Sequence, residues 1–166
     1  MHYLEKKIKL FEALKKSDIY DSFNFYECED DGESVRIVCD KEIEYYSYCS
    51  KMEAWEEDDG GFLIMLTLDN SINSSICMVL AKFDDEDKID MKMKSDILNL
   101  LDRFNRESDI KFYILGEFIF SEITYTSNAF DADEYICLMR KMYLTIKEEE
   151  YYQEIMNILS GDADKW

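Results

Sequence analysis

Apolar residues open this chain at helical spacing. Leu4, Ile8, Phe11 and Leu14 recur every three to four positions among lysines and glutamates, predicting an amphipathic helix over residues 3–16 with those four on its apolar face. The period then shortens. "FNFYECEDDGESVRIVCD" holds two short alternating runs around Asp-Asp-Gly, a hairpin signal because glycine accepts positive φ in the turn. "YYSYCSKMEAW" sets Tyr46, Tyr48, Met52 and Ala54 on one face and Ser47, Lys51 and Glu53 on the other, the pattern of a half-buried strand. "FLIMLTLD" and "ICMVLAKF", separated by "NSINSS", are apolar on both faces and belong at the centre of an antiparallel sheet.

The helical period returns in Ile97, Leu100, Leu101 and Phe104, and "NRESD" ends that helix. "IKFYI" and "FIFSEITY" predict a hairpin on Gly116-Glu117, glycine in the first central position of a type II′ turn. A last helix begins with Asp131 as N-cap, Glu134 three residues on, and Phe130 facing Tyr135 as a hydrophobic staple. Leu138, Met139, Met142, Ile146, Ile155 and Leu159 carry its apolar face to about residue 159, before Gly161. The order is helix, about five strands, helix, two strands, helix. Without βαβ alternation this predicts an α+β fold, with helices packed on an antiparallel sheet. No proline, linker or repeat divides the chain, so residues 1–166 read as one domain.

Charge changes what such a fold can do. With 38 acidic against 19 basic residues, the net charge is −19, which disfavours direct contact with nucleic-acid phosphates or an anionic membrane. The expected partner is a basic or amphipathic protein, or a second copy joined through an apolar patch as a homodimer. At 47% hydrophobic and 14% aromatic, the chain is far from a disordered acidic tail. No apolar run is long enough to span a bilayer as a helix, and the charged start is unlike a signal peptide, so the expected compartment is the cytoplasm.

Each kind of catalytic site meets an obstacle. The single histidine, His2, stands at a terminus, which leaves a nucleophilic relay without a base. The five glycines are too scattered for a phosphate loop, and one histidine with no CxxC pair gives no zinc site. "FDDEDKID" fails the calcium-loop pattern, since Ile89 and Ser95 occupy the glycine and glutamate positions. Cys39, Cys77 and Cys137 sit in apolar runs and read as core thiols; Cys49 beside Lys51 has no acid/base partner to activate it. No catalytic residue, metal or cofactor is expected. Tyrosine gives large amphipathic contact area at little entropic cost, so the expected protein-contact residues are Tyr46, Tyr48, Tyr151 and Tyr152, with the helix face around Met139 and Met142.

The leucine-rich helix "ILNLLDRFNRES" with its asparagine Asn105, the hairpin "IKFYILGEFIFSEITY" and the helix from "FDADEYICLMRKMYLTI" together resemble the YbjN domain family, whose fold is similar to class I type III secretion chaperones. On this resemblance residues 45–160 form the core, and the helix and hairpin of 1–44 are an addition to it. It implies a non-enzymatic regulator or chaperone, often dimeric, that holds a protein segment by strand addition and apolar grooves. The alternative from charge alone is an acidic inhibitor or immunity protein that neutralises a basic partner such as a nuclease toxin.

Overall fold

The computed structural model describes residues 1–17, 24–40, 63–82, 91–116 and 118–159. They form helix α1 (Tyr3–Lys16), strands β1 (Asn24–Asp30), β2 (Ser34–Asp40), β3 (Leu63–Asp69) and β4 (Asn73–Lys82), helix α2 (Met91–Glu107), strands β5 (Lys111–Leu115) and β6 (Phe118–Thr126), and helices α3 (Ala132–Glu148) and α4 (Tyr151–Leu159). The strands make one six-stranded antiparallel sheet in the order β1-β2-β3-β4-β6-β5. The fold is therefore α+β as expected, with the doubly apolar runs at its centre: Ile64, Leu66, Leu68 and every residue of Ile76–Ala81 are buried. The strand expected over 45–55 lies outside the described residues, as do the acidic segments 56–61 and 84–90.

Contacts divide the chain into two compact units, Met1–Met78 with Thr124–Arg140, and Val79–Ile123 with Lys141–Trp166. In the first, α1 packs on β2 and β3 through Tyr3, Lys6, Leu10 and Leu14. This corrects the expected face. Two stripes at helical spacing run along α1, about 100° apart. The structure buries the one holding Tyr3 and Leu10 and leaves Leu4 and Ile8 exposed, with Phe11 half-buried. His2 caps the helix, its Nδ1 accepting from Leu4 N at 3.3 Å.

The cap of α3 forms as predicted, Asp131 Oδ1 accepting from Asp133 N and Glu134 N at 2.9 and 3.2 Å. Phe130 and Tyr135 meet with ring centroids 5.3 Å apart, completing the staple. The reciprocal arm of the box is replaced: Asp131 N donates to the Tyr125 hydroxyl, which donates to Glu134.

In the second unit α2 buries Ile97, Leu101 and Phe104 and packs against β5 and α4. Phe104, Phe112 and Tyr151 form an aromatic cluster, with centroids 4.1 to 5.4 Å apart. Gly116 adopts φ +60° in the two-residue loop between β5 and β6, the backbone its glycine was expected to supply.

The last helix is not continuous. It breaks at Glu149–Glu150, where Glu150 has φ +59°, and α4 follows. The apolar spacing requires this: Ile146 and Ile155 are nine positions apart, two and a half turns, so one straight helix would bury them on opposite faces.

Candidate functional site

The described residues gather chemistry at the tip of the β1–β2 hairpin. Asp31 organises the turn, its Oδ1 accepting from Glu33 N and Ser34 N at 2.9 and 2.8 Å, while Gly32 takes φ +86°. Asp30 Oδ1 accepts from Gly32 N at 3.0 Å and from the Tyr3 hydroxyl at 2.9 Å, tying the hairpin to α1. Lys7 pairs with Glu27 at 3.0 Å along the same side.

A bulge between Glu27 and Glu29 resets the alternation of β1. Glu27 pairs with Ile37 and Asp30 with Val35, both on the buried face, whereas Glu29 pairs with Arg36 on the opposite face. There Arg36 Nη1 meets Glu29 Oε2 at 3.2 Å, and Thr67 stands across from Arg36 on β3. Glu29, Asp30, Asp31, Ser34, Arg36 and Thr67 line an open cleft of about 490 Å³.

The electrostatics of the cleft are set by hydrogen bonds. Backbone donation from Gly32, followed by the Tyr3 hydroxyl, holds the Asp30 carboxyl below the ordinary 3.8. Backbone donation from Glu33 and Ser34 does the same for Asp31. The Tyr3 phenol is raised in return, first by its bond to Asp30. Both aspartates are therefore anionic at any physiological pH. They suit charge-assisted hydrogen bonds with lysine or arginine rather than proton transfer, for which a group poised near neutrality is needed.

A second polar feature anchors α1. Lys6 is 2% exposed, and its Nζ donates to Ser71 O at 2.7 Å and to Ser74 Oγ at 3.3 Å. Burial lowers its pKa, against an opposing effect of Asp69. Tyr3 N donates to Asn70 Oδ1 at 2.9 Å, so the β3–β4 turn receives the helix at two points. A lysine wholly enclosed and bonded in this way is an anchor, out of reach of a substrate.

The expected contact residues fall elsewhere. Met139 and Met142 are buried, and Tyr151 is spent in the cluster with Phe104 and Phe112; none presents surface. Tyr152 is half-buried, and Tyr46, Tyr48 and Cys49 lie outside the described residues. Cys77 is a core thiol as expected, but Cys137 is exposed, sharing the outer stripe of α3 with Asp133, Lys141 and Leu144. The Cys39 side chain is outside the described set. Among the described residues no group of three His, Cys, Asp or Glu side chains is placed to hold a metal ion, and no helix is long and apolar enough to cross a membrane.

Sequence reading missed the cleft because the bulge that turns Glu29 away from Glu27 has no pattern in "FYECED". The one available signal was the density of carboxylates around Gly32. Comparison with family models, curated proteins and solved structures finds no match to this chain.

Proposed function

We propose that this chain is a non-enzymatic, cytoplasmic protein-binding module that holds a basic or amphipathic partner against its acidic surface. The observation that carries the reading is the cleft at the β1–β2 hairpin, where Asp30 and Asp31 are held ionised by fixed donors and face solvent beside Glu29. A preorganised anionic site costs little to order when a guanidinium or ammonium arrives, and its field steers a cationic partner. This favours the inhibitor form of the reading, in which charge supplies specificity and association rate.

The chaperone-like form, which the YbjN resemblance implies, is favoured by a different observation. Leu4 and Ile8 remain exposed on α1 although a folded chain has reason to cover them. The two forms separate by salt. Partners are captured from the native cell at low and high ionic strength, with wild type and with the double variant Glu29→Gln/Asp31→Asn; the asparagine keeps the Oδ1 acceptor that the turn uses. A basic partner lost at high salt and lost by the variant supports the inhibitor form. One retained in both supports the chaperone-like form. Capture of no basic or amphipathic protein under either condition sinks the proposal.

A further inference from the structure

We propose that the exposed stripe Leu4–Ile8–Phe11 of α1 is the docking surface for an amphipathic helix of the partner, one that carries its apolar row between lysines or arginines. This rests on the reading above and names where the partner sits. Leu4 is 38% and Ile8 57% exposed, one turn apart, and Phe11 continues the stripe half-buried.

The surface is continuous with β1. Tyr3 reaches Asp30 and Lys7 reaches Glu27, so β1 runs antiparallel to α1 along that flank. Phe25 pairs with Cys39 and Glu27 with Ile37, which puts Phe25 on the same face of β1 as Glu27. Leu4 and Ile8 follow Tyr3 and Lys7 by one residue each, about 100° further round α1. The result is an apolar strip with acidic side chains on each side: Glu5 and Glu12 of α1 on one, and Glu27 and Asp30 of β1 with Asp31 of the turn on the other. Lys7 is occupied by Glu27, and the remaining exposed lysines of α1 lie at its end, Lys15 and Lys16, or round the helix at Lys9.

Complementarity selects the occupant. A helix with basic flanks satisfies both rims while its apolar row covers the strip, the helix-in-groove mode. A second copy would bring the same acidic rims and a further −19. An extended strand is disfavoured at β1, because a bulge and three acidic side chains blunt that end of the described sheet.

The test uses a synthetic leucine–lysine peptide of about 18 residues, long enough to be helical when bound, with leucines at i, i+3, i+4 and i+7. Its affinity at near-physiological salt is measured by fluorescence anisotropy for wild type, for Leu4→Ser/Ile8→Ser, and for the control Met91→Ser/Leu98→Ser on α2, where Met91 is 86% and Leu98 49% exposed. Circular dichroism verifies that both variants fold.

The stripe variant is expected to weaken binding about tenfold or more, equivalent to about 1.4 kcal/mol. The control should stay within about twofold, as surface changes away from a contact do. Equal affinities for the two variants would overturn the docking site and leave the charge-based reading standing. No binding to wild type would sink both. A wild-type dimer by light scattering, lost in Leu4→Ser/Ile8→Ser, would assign the stripe to a second copy and overturn the peptide assignment.

Discussion

Asn105 shows how much one side chain can decide. Its Oδ1 accepts from Phe112 N at 2.6 Å and its Nδ2 donates to Phe112 O at 3.0 Å, so the amide stands in for a neighbouring strand at the outer position of β5. Replacing it with alanine removes two bonds that are each worth about 0.5–1.5 kcal/mol net. Asn105→Ala should therefore lower unfolding stability by about 1–3 kcal/mol, read as a lower urea midpoint with unchanged slope. Asn105→Asp keeps the acceptor but sets a carboxylate against the Phe112 carbonyl, and should not recover the loss.

Lys6 gives the opposite expectation. Its ammonium is buried with no carboxylate in hydrogen-bond reach among the described residues, so Lys6→Met trades a desolvated charge for an apolar side chain of similar length. Little or no loss of stability is expected at neutral pH. The pKa of Lys6 in the fold is below the unfolded 10.5, so the unfolded chain binds the proton more tightly. Wild-type stability should accordingly gain on Lys6→Met as pH rises through the folded value towards 10.5, and the difference should level off above it. Urea titrations of both proteins across that window check the sign.

Elements show which parts of the fold were legible in the sequence. The central strands, the α3 cap and the Gly116 loop rest on local rules, namely alternation, an N-cap aspartate and a glycine at positive φ, so they could be read directly. Two features could not. The buried face of α1 was a choice between two stripes, settled by tertiary partners: Asp30 for Tyr3, and the β3–β4 turn for Lys6. The bulge in β1, which builds the cleft, depends on pairing with β2 and leaves no local mark.

The break after α3 lies between these cases. Only the phase between Ile146 and Ile155 reveals it, and "KEEEYYQ" contains no glycine or proline to announce it. Glu150 pays for the break with a left-handed backbone at an exposed site. Glu150→Gly should relieve that strain and raise stability by about 1 kcal/mol, with a thermal midpoint about 2–4 °C higher. A lower midpoint would mean that the glutamate side chain contributes more at this junction than its backbone conformation costs.

Over the whole molecule the charge is unevenly spread, and this sets how stability should respond to salt. α1 holds five lysines and two glutamates, net +3, so the rest of the chain carries −22. Salt screens two opposed effects. One is the local pairs, Lys7–Glu27, Arg36–Glu29 and Arg103–Glu154, whose side chains are 22% to 58% exposed. Exposed pairs of this kind contribute about 0–1 kcal/mol each, so their screening is a small loss. The other is repulsion among the surplus carboxylates, a sum over many pairs at long range that acts against the compact state. The second effect has more members and a longer reach, so it should dominate. Raising ionic strength from low to several times physiological should raise the thermal midpoint, by about 2–4 °C for each 1 kcal/mol of relieved repulsion. Partner affinity should move the other way, since the same ions screen the acidic rim that attracts a basic helix. A midpoint that falls with salt would show that attraction between α1 and the acidic remainder outweighs the repulsion. In that case α1 would be held to its sheet chiefly by charge, and less by Tyr3, Leu10 and Leu14.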